Sequence, residues 1–313
     1  MLSYFGGKLR IGEFIYQFIP TDIKTYVEPF SGAFWIYMNP KHTFSHCEQI
    51  IYNDINQFMT NLMRSSQDYE IMLQLFEEVY QPGGFLYCEI DPHESEEAFE
   101  NWKNHYRNLY YSYNSRQRKT ETFLDEYTYG IPNHEAALKY AYLLSSTFNG
   151  CFPNVYSGCS PYSKNRKLKV QAYINKLNKK TYQEKLAQIN EFHSLDFEEI
   201  IQKYDGPDTF MYIDPPYFDE QGKRLDWYGV GDESLFGPSS HERLAKILAK
   251  TEGRWALSYY FYKQLVEWFP EDQYTWVTKE FFRSSASFSA KKELKGEELL
   301  IMNYDPEVEV KKK

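Results

Sequence analysis

Residues 209–220, "TFMYIDPPYFDE", combine side chains that could act on an amino group. A strand-like run, Phe210 to Ile213, breaks on Asp214, Pro215, Pro216 and Tyr217. Proline has no N–H to give to a ladder, so the strand is predicted to stop there. A carboxylate in this position can accept one N–H of an exocyclic amino group on a flat ring. The Pro215 carbonyl, held rigidly by the proline–proline corner, can accept the other, and Tyr217 can stack on the ring. A purely structural turn would explain the prolines but not the whole set of four.

Three further constellations are chemically suggestive. In Tyr4-Phe5-Gly6-Gly7-Lys8 the glycines permit close approach of backbone to a ligand, and Lys8 can pair with a carboxylate or phosphate. An N-terminal turn with a solvated lysine accounts for the same residues. Glu28-Pro29-Phe30-Ser31-Gly32 places an acid at a strand end before a small-residue loop, where α/β sheets bind ligands. It lacks the spaced glycines of a dinucleotide fingerprint and the Gly-Lys-Ser/Thr of a phosphate loop, so neither NAD nor ATP is favoured. A plain strand–helix turn explains it as well. Asp54 in "YNDIN" can bind both hydroxyls of a ribose or cap the helix that follows.

The elements that would position these residues follow from periodicity. Residues 25–30 read as a short buried strand, "SGAFWIYM" as a helix entered through a Gly32 turn, 50–55 as a second strand and 56–80 as helix. This is the βαβ grammar of a nucleotide-binding α/β sheet. Residues 81–192 are polar, tyrosine-rich and helical in pattern, with 136–148 at helical spacing and a turn-rich run from 149 to 163. Gly83-Gly84 and the acidic stretch 89–100 read as loop. Strands resume at 210–214, 254–260, 274–278 and 298–304, with a helix over 261–269 and another capped by Ser239 or Ser240 that buries Leu244, Ile247 and Leu248. The domain expectation is a discontinuous catalytic domain, 1–80 and 193–306, an inserted subdomain, 81–192, and a disordered tail, 307–313.

Composition narrows the class. The 313 residues suffice for one large domain with a sizeable insertion. A net charge of −9 argues against nonspecific coating of nucleic acid. The charge is segregated, however: 101–120 carries Lys103, Arg107, Arg116, Arg118 and Lys119 with no acid, and 164–185 carries eight Lys and Arg residues against Glu184 alone. These runs are solvated helix faces or a patch for a polyanion. No apolar stretch spans a bilayer and no signal-peptide pattern opens the chain, so a cytoplasmic protein is expected. The four scattered cysteines form no CxxC pair, so no metal is expected.

The DPPY set and its surroundings resemble the Dam-like DNA adenine methyltransferases. "YFGGK" is similar to their N-terminal lysine motif, "VEPFSGA" to their cofactor loop and "NDIN" to their ribose-binding acid. "STFNG" (146–150) resembles part of their target-recognition region, and "SLDFEEI" (194–200) the segment before the catalytic strand. "RSSAS" (283–287) and "EELLIMNY" (297–304) resemble their closing strands, and the order of motifs matches over most of the chain.

The resemblance implies a Rossmann-like S-adenosylmethionine-dependent methyltransferase sheet with an inserted, mainly helical target-recognition subdomain. It implies site-specific transfer of a methyl group from S-adenosylmethionine to the amino nitrogen of an adenine flipped out of duplex DNA, leaving S-adenosylhomocysteine. Asp214, Pro215, Pro216 and Tyr217 would be catalytic. Tyr4, Gly6, Gly7, Lys8, Glu28, Phe30, Gly32, Asp54, Asp196, Phe197 and Asp214 would surround the cofactor, with Phe5 a departure from the small residue found in Dam. Arg116, Arg118 and Lys119 would sit on a hairpin in the major groove, with Asn149 and Tyr156 beside them, and Lys164, Arg166, Lys167 and Arg283 at phosphates. The expected partners are double-stranded DNA and a cognate restriction endonuclease, the expected state a monomer. The alternatives are a cytosine amino-methyltransferase, an idle DNA-binding protein on the same scaffold, and an enzyme methylating RNA or protein.

Overall fold

The computed structural model describes residues 7–8, 11–117, 130–147, 160–217, 236–282 and 295–306. Seven strands, β1 (Thr25–Glu28), β2 (Gln49–Asn53), β3 (Glu191–His193), β4 (Thr209–Ile213), β5 (Arg254–Tyr259), β6 (Thr275–Phe282) and β7 (Lys295–Met302), form one sheet in the order β3-β2-β1-β4-β5-β7-β6. The first five in that order run parallel, and β7 and β6 join as an antiparallel pair. The helices of the described residues are α1 (Gly12–Tyr16), α2 (Gln57–Ser65), α3 (Tyr69–Glu78), α4 (Glu96–Gln117), α5 (His134–Ser146), α6 (Gln171–Leu177), α7 (Lys180–Ala187), α8 (Phe197–Tyr204), α9 (Pro238–Leu248) and α10 (Gln264–Trp268).

The sheet belongs to one of two compact units, which comprises Lys8–Ile55, Ile189–Leu225 and Asp232–Lys313. Strand alternation sorts its residues. Val27, Ile51, Met211, Ile213, Trp255, Leu257, Leu299 and Ile301 pack with residues of α8, α9 and α10 in one apolar layer. Burying each such side chain contributes about 1.5–3 kcal/mol. On the other face Tyr26 meets Phe34, Tyr37, Phe44 and Phe210 ring to ring. Tyr26, Glu28 and Tyr212 lie on this second face, so its polar groups converge near the strand ends.

The second unit is helical and includes Asn56–Gln188. Its centre is α5, buried over most of its circumference, as a helix packed on several sides must be. The Asn133 side chain caps it by accepting from the Ala136 N–H at 2.9 Å. Asn61 exchanges two hydrogen bonds with the Asn133 backbone, both 2.9 Å. The boundary therefore differs from the expected 80 and 192: α2 and α3 pack into the helical unit, and β3 joins the sheet. Three residues with one buried position, Glu191–His193, carry too little alternation to announce a strand.

Other expectations are corrected locally. "SGAFWIYM" forms successive turns rather than a helix, because Gly32 and Phe34 both adopt positive φ, 47° and 54°. The 56–80 stretch breaks into α2 and α3. Neither Ser239 nor Ser240 caps α9; the helix starts at Pro238, which suits a first helical position lacking an N–H partner. The acidic 89–100 stretch ends in the first turn of α4. Residues 148–159, the 283–287 motif and the 307–313 tail lie outside the described residues.

Asn53, 1% exposed, ties the sheet's loops together. Its Nδ2 donates to the carbonyls of Pro29 at 2.8 Å and Leu195 at 3.1 Å, and its Oδ1 accepts from the Leu195 N–H at 2.9 Å. Asn53→Ala would strand three buried backbone groups. The expected loss is about 2–4 kcal/mol, measured as a lowered urea midpoint with an unchanged slope. A loss under about 0.5 kcal/mol would refute the role given to Asn53.

Candidate active site

Parallel strands deliver their carboxyl ends to one edge of the sheet, and the order in which strands are added switches sides between β1 and β4, where ligand crevices open. Each of four adjacent strands brings an acid there. Asp196 follows β3, Asp54 follows β2, Glu28 closes β1 and Asp214 follows β4. Three strand spacings separate the first from the last, about 14 Å.

Asp54 is not a helix cap. The cap of α2 is Asn56, whose side chain accepts from Phe58 and Met59 N–H groups. Asp54, 9% exposed, accepts the Gly32 N–H at 2.7 Å, and the Gly32 carbonyl accepts the Tyr52 hydroxyl at 2.7 Å. The loop after β1 is thus gripped from β2, with Gly32 in the left-handed conformation that glycine adopts freely. Ser31 completes the grip: its hydroxyl donates to the Glu28 carbonyl at 2.7 Å, and its N–H donates to the Asn53 carbonyl at 2.8 Å.

Glu28 is buried and accepts the Tyr26 hydroxyl at 2.6 Å. Burial raises its pKa well above the carboxylate range, Tyr26 opposes the rise and the charge of Asp214 adds to it. Phe30 stacks on Phe197 at 5.6 Å and meets Phe236 edge-on at 5.4 Å. Asp196 caps α8 through the Glu198 N–H at 2.9 Å and pairs with Arg243 at 2.8 Å. The Arg243 guanidinium lies 4.8 Å from the Phe197 ring centre. The two expected adenine-side residues, Asp196 and Phe197, are therefore held by one arginine that the sequence did not single out.

The DPPY corner is built around Lys8. Its carbonyl accepts the N–H groups of Ile11 and Gly12, which seats the lysine at the start of α1. Its Nζ lies 2.9 Å from Asp214 Oδ1 and 2.8 Å from Glu298 Oε1, and donates to the Tyr217 hydroxyl. The Tyr217 hydroxyl is 2.9 Å from Asp214 Oδ1 and 2.6 Å from Glu298 Oε1. Burial pulls the Lys8 pKa down, but Asp214 and Glu298 outweigh it and hold the ammonium well above its ordinary value. Burial pushes Asp214 up, Lys8 opposes and Glu298 reinforces, leaving it at about 6.

Tyr217 differs from its expected posture. Its ring stacks on Tyr259 at 5.4 Å, with Lys8 Nζ 4.6 Å from the ring centre. Behind it, the Tyr259 hydroxyl bonds His241, whose imidazole burial lowers to about 4. Pro215 is buried and Pro216 half-buried. Glu298 escaped the sequence because its location depends on β7 running antiparallel. An N-terminal residue of β7 thereby reaches the edge where the parallel strands end. The signal was present only as an acid between Glu297 and the apolar "LLIM" run.

The remaining expected residues divide. Gly7 is exposed, and Arg116 lies in the last turn of α4 rather than on a hairpin. Lys164 and Lys167 are exposed in the helical unit. Arg166 is engaged internally: it donates to the Pro92 carbonyl at 2.9 Å, pairs with Glu96 and lies 4.5 Å from the Phe99 ring centre. Tyr4, Gly6, Arg118, Lys119, Asn149, Tyr156, Arg283 and 218–220 lie outside the described residues.

A carboxyl whose folded pKa exceeds its unfolded value is favourable to folding only while protonated. For Asp214 the handicap grows as pH rises through about 4 to 6 and is complete above that. Asp214→Asn should raise folding stability at pH 7.5 by on the order of 1–2 kcal/mol, with the advantage gone below about pH 4. Urea titrations at the two pH values test this; equal or lower stability of the variant at pH 7.5 would contradict it.

Among the described residues no helix is long and apolar enough to cross a membrane, and no group of three metal-ligating side chains occurs. The family model of the D12 class N6 adenine-specific DNA methyltransferases matches residues 4–284. The chain is also similar to the Type II methyltransferase M.FokI of Planomicrobium okeanokoites, with 25% identity over 228 residues. That match covers 72% of this chain but 30% of M.FokI, so the chain spans less than a third of its relative's length. With a family match running from the lysine motif past Asp214 and Tyr217, the chain belongs to the D12 class of N6 adenine-specific DNA methyltransferases.

Proposed function

We propose that this protein methylates the exocyclic amino nitrogen of adenine in duplex DNA, with S-adenosylmethionine as donor. The observation that carries this reading is the row of four acids, whose order along the edge is Asp196, Asp54, Glu28, Asp214. The donor suits such a row: its adenine amino group, ribose hydroxyls and ammonium are hydrogen-bond donors, and its sulfonium is cationic. Its parts follow one another in the same order as the acids. Ser194 Oγ, buried beside Asp196 with no hydrogen-bond partner among the described residues, supplies a further polar atom at the adenine end. When bound, the donor supplies an activated methyl group.

The chain's own contribution is to prepare the acceptor. An aromatic amino nitrogen is a poor nucleophile because its lone pair is delocalised into the ring. Asp214 accepts one of its protons, which favours a pyramidal nitrogen and stabilises positive charge developing on it. The Pro215 carbonyl serves the second proton. Lys8 and Tyr217 fix the Asp214 carboxylate, and loops gripped by Asn53 and Asp54 fix the crevice. The target base leaves the stack to reach this corner, and stacking on Tyr217 repays part of the unstacking. That role requires the Tyr217 ring to move from its contact with Lys8. Lys164 and Lys167 of the helical unit contact phosphate, and the target-recognition role belongs to that unit.

Incubation with labelled donor and mixed-sequence duplex DNA should yield N6-methyladenine, and Asp214→Ala should lower the rate by at least about 10³-fold. Methylated cytosine, or no DNA product, would overturn the reading. The rate should fall about tenfold per pH unit below about 6, because protonated Asp214 accepts poorly. A profile flat to pH 5 would remove Asp214 from the role. Asp54→Ala should weaken donor binding about 10–100-fold in calorimetry, and unchanged affinity would dissociate Asp54 from the ribose.

A further inference from the structure

We propose that Glu298 is a positioning residue of this reaction, which draws the charge of Lys8 onto itself and thereby leaves Asp214 a stronger hydrogen-bond acceptor for the amino group. The inference rests on the function proposed above and adds a residue to it. Glu298 is 1% exposed, and a buried carboxylate is tolerated only with a charged or hydrogen-bonding partner. Its partners are the same two groups that hold Asp214.

Donor accounting shows what it does. An ammonium has three N–H groups, and those of Lys8 reach Tyr217, Asp214 and Glu298. Tyr217 has one proton, and its hydroxyl lies closer to Glu298, 2.6 Å, than to Asp214, 2.9 Å. Glu298 Oε1 thus accepts from both Lys8 and Tyr217. Without it, the lysine's full charge would fall on Asp214 and oppose the positive charge that the amino nitrogen must develop.

Other groups around the pair are accounted for. On β6, Lys279 stands opposite Glu298 in the ladder, but its ammonium lies 5.8 Å from the Phe14 ring centre. On β4, the Tyr212 hydroxyl is bonded to Ser258 of β5 at 2.8 Å. On β1, Glu28 is bonded to Tyr26. Beyond β5, Tyr260 meets the Tyr217 ring at 4.6 Å, and His241 of α9 is bonded to the Tyr259 hydroxyl. Among the described residues Lys8 is the cation placed between the two acids.

The test uses the full chain and reads Asp214 directly, by carboxyl 13C NMR titration over roughly pH 4–9, beside single-turnover methylation of mixed-sequence duplex DNA. Wild-type Asp214 should titrate near 6. Removing a negative neighbour lowers a carboxyl pKa and removing a positive one raises it. Glu298→Gln should therefore move the titration and the acid limb of the rate to lower pH, and Lys8→Met should move both to higher pH. Glu298→Gln should also slow methyl transfer about 10–100-fold with donor affinity within about threefold, and Glu298→Asp should restore part of the rate. Coincident titrations in wild type and Glu298→Gln, or a loss residing wholly in donor affinity, would overturn the proposal. Should Glu298→Gln fail to fold, a Lys8→Met titration that stays at the wild-type position overturns it equally. Wild-type protein that shows the NMR shifts yet methylates no DNA would refute the reaction and leave the electrostatic pairing standing.

Discussion

A buried ammonium shared by two carboxylates sets the terms for the rest of the catalytic unit. Each of these charges loses several kcal/mol of hydration on burial, and the loss is offset only if Lys8, Asp214 and Glu298 meet within hydrogen-bond distance. That demand fixes the end of β4, the start of β7 and the turn before α1 relative to one another. Because two acids face one lysine, the cluster stays negative, which suits the reaction proposed for it. The neighbouring hydroxyl of Tyr217 bridges the acids without adding charge.

The sheet meets this demand by segregating its two faces. One face is apolar and packs against α8, α9 and α10. The other carries tyrosines that bury rings while placing hydroxyls at polar partners, as Tyr26 does with Glu28 and Tyr212 with Ser258. At the crevice edge the loops are fixed by side chains from neighbouring strands, so the acids are held by β2 as much as by their own backbones.

What could be read from the sequence was whatever a short contiguous segment encodes. Apolar runs ending on proline mark β1 and β4, and Asp214 and Tyr217 come within hydrogen-bond distance because they are near neighbours in the chain. Asp54 and Asp196 were singled out through likeness to a known family. What could not be read depends on contacts between distant segments. Asn53 and Asp54 are neighbours, yet one holds the loops at Pro29 and Leu195 and the other the Gly32 turn, and the sequence does not show which does which. Phe34 looks like a helix residue until its positive φ is seen. Glu298 looks like one more surface acid in "KGEELLIM" until the antiparallel direction of β7 places it beside Lys8. The boundary between the units shifted for a similar reason: α2 and α3 have ordinary amphipathic patterns, and only their packing on α5 assigns them.

The antiparallel return of β7 also bears on when the corner comes into being. Lys8 and Glu298 are 290 residues apart in the chain. A ribosome makes on the order of 5–20 residues per second, so tens of seconds separate the synthesis of the two partners. Through that interval the nascent chain carries Lys8, and later Asp214, without the second acid. The corner is therefore completed only once β7 has emerged, and a polypeptide halted before β7 would carry Lys8 and the DPPY residues without the charge balance proposed to make them work.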